Sequence, residues 1–365
     1  MFRPKMLGVL LVSLLSAAAM PVTHAEERFT PYIAQHGHAR PVVAVIGYNA
    51  GTELTDFVIP YAVLERSGAV DTFAVAMQPG PMTMRPALRL QPELDVRGFD
   101  ARFPKGADYV IVPAVVRPDD AQLLAWISAQ YAKGAMIVSI CDGALVVANT
   151  GMLNGHRATA HWATESHRRE MYPGTTWVAN TRYVVDGRLA SSAGISASIP
   201  ASLALLESIA GTEKAREVGA EFGVTRWTTT HDSDAFQPHM GNLLPLVAVN
   251  ATNKWFHSEE RLGLPLQAGM DDVALALTAD AWSRTGRSRA YGVAQAAQVR
   301  SRSGLVWLPD TTHPADAKHR VEAVRGDTGV PMFDAVLASI DARYGRTTAK
   351  GVAIDFEYPW TPARR

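Results

Sequence analysis

The sequence predicts an α/β fold in which a parallel sheet is covered by helices on both faces. Three observations predict it: continuous apolar runs that end in small residues, amphipathic segments between them, and a globular composition. Of 365 residues, 47% are apolar, and 35 basic residues balance 35 acidic ones. That apolar fraction is too high for a disordered chain, and the length suggests roughly two domains. Because the charge is balanced, we expect no nucleic-acid partner.

Residues 1–25 have the layout of a secretory signal peptide. Arg3 and Lys5 give a basic start, an apolar run follows over 6–20, and small residues for cleavage stand at 23–25. The run is shorter than the ~20 residues that a membrane span needs. We therefore expect a periplasmic or secreted protein with no membrane attachment after cleavage. An uncleaved anchor is the alternative.

Strand and helix patterns alternate over residues 41–235, after a polar tail at 26–40. Such alternation is typical of one α/β domain with a buried parallel sheet. The predicted strands are 41–47, 72–77, 109–112, 135–140, 177–178 and 182–185. The predicted helices are 54–67, 119–132, 142–150, 162–171 and 199–210, and residues 82–97 are predicted to form an extended excursion.

Residues 236–365 form a C-terminal α/β segment with a weaker pattern. Its predicted elements are a helix over 270–283, a strand over 290–294, an extended stretch over 298–308, a helix over 333–343 and a final strand over 351–356. Aligning 62–92 with 280–310 gives five identities, one of them Arg66 with Arg284. We infer a degenerate half-repeat of the first unit that ends at the final strand. The alternative is that any two βα units resemble each other.

The single cysteine, Cys141, is the strongest candidate for chemistry, and it excludes an intramolecular disulfide. An apolar strand runs directly into it, and Gly143 and Ala144 then open a helix. A nucleophile on such an elbow has a strained backbone, and small residues let neighbouring backbone pass close to it. The helix N-terminus favours a thiolate, so we expect a thiol more acidic than a free one. The alternative is an inert core thiol.

Three segments resemble the ThiJ/PfpI family of the class I glutamine amidotransferase-like superfamily. They read VSICDGALVVANTGMLNGHRATAHW (138–162), RYVVDGRLASSAGISASIPASLALLE (182–207) and ELTDFVIPYAVLERSG (53–68). The resemblance is nearest to isocyanide hydratases and to the sensor halves of AraC-type regulators. It implies a Rossmann-like (flavodoxin-like) three-layer sandwich with a cysteine nucleophile elbow. No helix-turn-helix pattern follows within the sequence, so we do not expect transcription control.

The resemblance also implies three catalytic side chains. Cys141 is the expected nucleophile, and Asp56 of the first helix is expected beside the sulfur. A protonated carboxyl there can donate a hydrogen bond to a thiolate and then serve as acid or base. Glu53 is the alternative acid. His161 matches a histidine near the cysteine of many relatives and is expected to act as a base, or else to be a satisfied histidine at a strand end.

Backbone amides are expected to hold the developing negative charge, namely those of Ala114, Val115 and Asp142. Relatives usually carry two glycines where this chain has Pro113-Ala114-Val115. Side chains at these positions are expected to narrow the pocket or to re-aim the amides. An ionised Asp142 is expected to oppose thiolate formation, although it could instead bind a cationic substrate.

The function expected from this set is that of a cysteine hydratase or hydrolase, acting on a small carbon–nitrogen substrate. We expect no cofactor, and no metal, because His156, His161 and His167 do not share one helical face. A non-catalytic ligand-binding or redox stress-sensing module is one alternative, and a cysteine peptidase is another. Relatives commonly dimerise, so we expect a homodimer or an intrachain pseudo-dimer in which the second segment replaces the partner.

Overall fold

The computed structural model describes residues 27–34, 36–313, 319–320 and 330–362. The expected signal peptide lies outside these residues. Among the helices described, not one combines the length and the apolar character that crossing a bilayer requires.

The strands and helices alternate over the first part as expected. The strands are β1 (Val42–Gly47), β2 (Thr52–Glu53), β3 (Asp71–Ala76), β4 (Met82–Arg85), β5 (Arg89–Gln91), β6 (Leu94–Asp95), β7 (Tyr109–Val112), β8 (Met136–Ser139), β9 (Arg157–Ala158), β10 (Thr176–Trp177), β11 (Tyr183–Asp186), β12 (Leu189–Ser192), β13 (Glu260–Pro265), β14 (Ser288–Val293), β15 (Val299–Arg300), β16 (Val306–Leu308) and β17 (His319–Arg320). The helices are α1 (Leu54–Arg66), α2 (Val96–Arg102), α3 (Ala121–Ala132), α4 (Gly143–Asn149), α5 (Glu165–Met171), α6 (Ser198–Ala210), α7 (Thr212–Glu221), α8 (Leu243–Val247), α9 (Asn253–Phe256), α10 (Asp272–Ser283), α11 (Val330–Tyr344) and α12 (Arg346–Asp355).

A seven-stranded sheet with the order β11-β12-β8-β7-β1-β3-β6 forms the centre of the first part. Its pairs are parallel except β11 with β12. Alternate residues of β1 face opposite layers: Val43 and Val45 share a core with α1 and α6, whereas Ala44 and Ile46 share one with α3 and α4. A strand buried on both faces reads as a continuous apolar run. The predicted α/β sandwich is therefore confirmed.

The C-terminal part contains a smaller parallel sheet with the order β14-β13-β17. Its helix α10 packs on α1 of the first part. A five-stranded sheet, ordered β15-β16-β5-β4-β2, joins the two parts through the antiparallel pair of β16 and β5. The two parts are thus joined by a shared sheet and by the packing of α1 on α10.

The predicted final strand over 351–356 is wrong, because these residues belong to helix α12 and its C-terminal cap. The buried residues Ala349, Val352, Ala353 and Phe356 have helical spacing. Ala349 lies before the predicted strand, so the helical spacing of the apolar residues is not visible within 351–356 alone. Further elements were not predicted, among them the helices α2, α7, α8 and α9 and the strands β9, β13 and β17. The predicted strand over 177–178 overlaps β10, which pairs in parallel with β9.

Candidate active site

Cys141 lies on a strained turn between strand β8 and helix α4. Its φ of 55° is in the left-handed region, which is uncommon for residues other than glycine. A Cβ atom on Gly143 would stand 1.9 Å from the carbonyl oxygen of Val112. Only glycine therefore fits at the start of α4, where the backbone after β7 passes against the elbow.

The sulfur of Cys141 is buried, and its surroundings oppose ionisation. The Cys141 N–H donates to Oγ of Ser192 at 3.4 Å. Burial raises the pKa of the thiol well above its usual value, and the charges of ionised Asp56 and Asp142 raise it further. The expectation of a more acidic thiol is therefore wrong in direction. Burial and nearby carboxyl groups outweigh the N-terminus of α4, which has only seven residues.

Asp56, in the first turn of α1, is fully buried. Its Oδ2 accepts a hydrogen bond from the Ala114 N–H at 3.2 Å, and no described residue bonds to its Oδ1. Burial raises the pKa of Asp56 well above its usual range, and the charge of Glu53 adds to this effect. The charge of Asp56 acts on the thiol more strongly than that of Asp142, the covalent neighbour of Cys141. Among the neighbouring carboxyl groups, Asp56 therefore has the strongest electrostatic effect on the thiol.

Of the three expected amide donors, Ala114 is already engaged, since its N–H binds Asp56. This N–H holds Asp56 in place and is not free for a substrate. The expectation that it would bind developing negative charge is therefore corrected. The N–H groups of Val115 and Asp142 have no protein acceptor within the described part of the chain. The Asp142 side chain is held by the Thr164 hydroxyl at 2.7 Å. Two free amides thus remain beside the elbow.

His161 is buried, and both of its ring nitrogens are occupied. Nε2 lies 2.9 Å from the carbonyl oxygen of Asp355, and Nδ1 accepts from the Ala163 N–H at 3.2 Å. The ring must therefore carry its proton on Nε2, and it has no lone pair left for the thiol. The expected role of His161 as a base is not supported. Its contacts instead tie the segment after β9 to the C-terminal part.

Glu357 is a buried residue near the cysteine that sequence reasoning missed. Its Oε1 accepts from the Trp162 N–H at 2.8 Å, and its Oε2 lies 2.7 Å from Nε2 of His231. A Cβ atom on Gly194 would stand 2.7 Å from the Glu357 carboxyl carbon and 2.7 Å from the His161 ring. Nothing in the local pattern around Glu357 marks it as a site residue.

Arg284 is a second missed residue, although it is one of the five identities that suggest the half-repeat. It forms ion pairs with Glu53, with Asp280 at 2.5 Å and with Asp355 at 2.6 Å. Asp280 also accepts from the Thr55 hydroxyl at 2.9 Å. Burial raises the pKa of Glu53 to about 8, although the charge of Arg284 opposes this. One cation from the C-terminal part thus pairs with two carboxyl groups of its own part and with Glu53, whose charge acts on Cys141.

No three His, Cys, Asp or Glu side chains are grouped to hold a metal ion among the residues that the structure describes.

Comparisons with known proteins place the first part of the chain in a family. The sequence profile of the DJ-1/PfpI family matches residues 42–208. The chain is 32% identical over 168 residues to the isonitrile hydratase of Pseudomonas putida, a match that covers 45% of this chain and 70% of the hydratase. It is 31% identical over 136 residues to the HTH-type transcriptional regulator CdhR of Pseudomonas aeruginosa, covering 36% of this chain and 40% of the regulator.

Solved structures match the same half of the chain. Drosophila melanogaster DJ-1beta superposes with a TM-score of 0.46 and 21% identity, over 51% of this chain and 98% of that protein. A ThiJ/PfpI family protein from Pseudomonas syringae superposes with a TM-score of 0.45 and 22% identity, over 50% of this chain and 74% of that protein.

Proposed function

Because the chain belongs to the DJ-1/PfpI family, we propose that it is an exported cysteine enzyme that hydrates or hydrolyses a small carbon–nitrogen compound, with an isonitrile as the first substrate to test. The observation that carries the proposal is the strained, buried Cys141 with a buried Asp56 whose Oδ1 has no protein partner among the described residues. The match over 70% of an isonitrile hydratase supports the substrate class. Export rests on residues 1–25 alone.

Cys141 and Asp56 share protons in this proposal. Burial raises the pKa of both groups, and the charge of Asp56 raises the pKa of Cys141 further. In this proposal the two groups therefore titrate as a coupled pair. When the pair holds one proton, that proton can pass between sulfur and carboxyl without leaving the site. The sulfur can thus attack as a thiolate while Asp56 carries the proton that the substrate needs.

Hydration of an isonitrile balances with these two groups. The sulfur attacks the terminal carbon, which takes a proton from Asp56 and becomes a thioimidate with a new S–C bond. Water then adds to this carbon, the S–C bond breaks, and the N-substituted formamide leaves. One proton of the water goes to the product nitrogen and the other returns to the Cys141–Asp56 pair. In this proposal the amides of Val115 and Asp142 stabilise the negative charge that develops beside the elbow.

Turnover of an isonitrile is the direct test. Incubation of the purified protein with an alkyl isonitrile should yield the formamide, measured by chromatography. We expect Cys141→Ala to abolish turnover and Asp56→Asn to lower it about 10²–10⁴-fold, since proton transfer by a positioned group contributes that much.

Glu65→Gln is the matched control, because Glu65 is another carboxyl residue of α1 but lies at the opposite end of the helix. It should leave turnover unchanged. Full turnover in Cys141→Ala would contradict the mechanism. The absence of formamide from a panel of isonitriles, nitriles and amides would contradict the proposed function.

A non-catalytic redox module is the second candidate, and the engaged Ala114 amide favours it, since one expected oxyanion donor is missing. Its chemistry would be oxidation of the Cys141 thiol by a peroxide, which yields a sulfenate and water. A dimedone adduct at Cys141 after peroxide treatment, in a protein without turnover, would support this candidate over the enzyme.

A further inference from the structure

We propose that the C-terminal part is a degenerate second copy of the first α/β unit, related to it by an approximate two-fold axis, and that it completes the cysteine site by placing Arg284 on Glu53. The inference concerns the site of the proposed function, and it rests on that proposal only for the identity of the site. Arg284 acts in it as a positioning residue through Glu53 and Asp56.

The order and spacing of the elements repeat. The register that aligns Arg66 with Arg284 also aligns the first residue of β1 with that of β13, and the first residue of α1 with that of α10. Strand β1 lies between two parallel neighbours, β3 and β7, just as β13 lies between β14 and β17. The sequence identities and the structure therefore select the same register, which we call the repeat register.

A second pair of segments repeats after the sheets. Helices α6 and α7 meet at Gly211, with φ 84° and ψ 165°, and helices α11 and α12 meet at Gly345, with φ 87° and ψ 158°. At the same distance beyond each of these glycines, the chain again adopts a positive φ, 66° at Gly223 and 52° at Glu357. The second copy therefore keeps β1, α1, β3 and the α6–α7 hairpin. Between β17 and α11 its chain is too short for a counterpart of the cysteine elbow and of β8–β12.

The contact between the two parts has two-fold character. In the antiparallel pair of β5 and β16, Leu90 faces Trp307 and Arg89 faces Leu308. The repeat register makes Trp307 the counterpart of Arg89, and Leu308 that of Leu90. Leu90 therefore pairs with the counterpart of Arg89, and Arg89 pairs with the counterpart of Leu90. This reciprocal pairing is the pattern of an isologous interface.

Charged residues repeat in the same way. Arg66 forms ion pairs with Asp271 at 2.8 Å and with Glu221 at 4.0 Å. We call these three residues the Arg66 cluster. It lies at the end of the α1–α10 contact that is remote from Cys141.

Arg284, Glu53 and Asp355 are the counterparts of Arg66, Asp271 and Glu221, and they form the same ion pairs. The repeat register pairs Arg284 with Arg66 and Glu53 with Asp271. Asp355 is the last residue of α12, just as Glu221 is the last residue of α7. We call these three residues the Arg284 cluster. In each cluster the arginine reaches one acid of its own copy and one acid of the other copy. Only the Arg284 cluster adjoins the cysteine.

The Arg284 cluster acts on the site through charge. Burial raises the pKa of Glu53 and of Asp56, and the charge of Arg284 lowers both. Glu53 also faces Asp280 and Asp355, which raise its pKa, and Arg85, which lowers it. Arg284 itself stays charged, because the surrounding carboxylates raise its pKa despite burial. The second copy thus supplies the cation that lets carboxyl groups beside the thiol ionise.

Infrared titration of the protonated carboxyl groups in the full-length protein tests this role, with Glu53→Gln to identify the Glu53 signal. We expect Glu53 to titrate at about pH 8 in the wild type. Arg284→Met should raise this midpoint by about one to three pH units, since a near opposite charge has an effect of that size. Asp355→Asn should lower the midpoint, because it removes a negative charge and frees Arg284 for Glu53.

The Arg66 cluster provides the matched controls. Arg66→Met and Glu221→Gln remove the same contacts at the remote counterpart positions and should leave the Glu53 midpoint unchanged. A midpoint that stays in place in Arg284→Met, or that moves as far in Arg66→Met, would overturn the inference. If Arg284→Met does not fold, Asp355→Asn decides, and an unmoved midpoint there overturns it as well. Glu53 titrates whether or not a substrate is turned over, so failure of the proposed hydration leaves this test intact.

Discussion

Gly143→Ala is expected to destabilise the protein by roughly 3 kcal/mol or more, since overpacking against backbone costs at least the upper part of the usual range. The added methyl group would stand 1.9 Å from the carbonyl oxygen of Val112 and 2.9 Å from the carbonyl carbon of Pro113. Neither atom belongs to a flexible side chain, so the backbone must move. That movement would also displace Ala114, whose N–H holds Asp56. Chemical denaturation measures the loss of stability, and turnover should fall with it.

Gly187→Ala is the control for this change. Gly187 has φ 63°, but a Cβ atom added to it would meet no neighbouring atom within 4 Å. Its replacement adds only the strain of a left-handed residue, about 1–2 kcal/mol. If Gly143→Ala cost no more than Gly187→Ala, the close approach of β7 to the elbow would be refuted.

Glu357→Ala is expected to cost about 3–5 kcal/mol at neutral pH, the usual penalty for breaking a buried charged contact. The substitution leaves the Trp162 N–H and the His231 ring without their acceptor. Burial alone would raise the pKa of Glu357, but the hydrogen bond from His231 lowers it below its usual value. A carboxyl group with a depressed folded pKa stabilises the fold above its unfolded value, and this stabilisation is lost as the pH falls.

The stability difference between wild type and Glu357→Ala should therefore shrink as the pH falls below about 4.5, the ordinary value of the group. Urea unfolding at a series of pH values measures it. Glu357→Gln is the matched variant, because its amide oxygen can still accept from the Trp162 N–H. It should cost less than Glu357→Ala, and an equal cost would show that the Trp162 contact contributes nothing.

Local pattern was sufficient for the parts of the site that lie next to each other in sequence. The strand that runs into Cys141, the small residue at Gly143 and the helix that carries Asp56 all follow from short stretches. The structure places each of them where the sequence predicts it. The same applies to the strands β1, β7 and β8, because their continuous apolar composition predicts burial on both faces.

The remaining features depend on contacts that no short stretch contains. Arg284 meets Glu53 from 231 positions away, and Glu357 meets Trp162 from 195 positions away. The pKa of the Cys141 thiol could not be predicted either, because its main cause is burial, which tertiary packing sets. For helix α12 the error was one of window length, since its apolar period becomes visible only when Ala349 is included.

The coupling of Cys141 to Asp56 is the central claim, and the rate of Cys141 alkylation against pH tests it most directly, in wild type and in Asp56→Asn. We expect a wild-type midpoint above about 8.5, the value of a free thiol, because burial raises the pKa of the thiol and ionised Asp56 raises it further. Asp56→Asn should lower the midpoint, since it removes that negative charge. A wild-type midpoint below the free-thiol value, or a variant midpoint equal to or above that of the wild type, would contradict the claim.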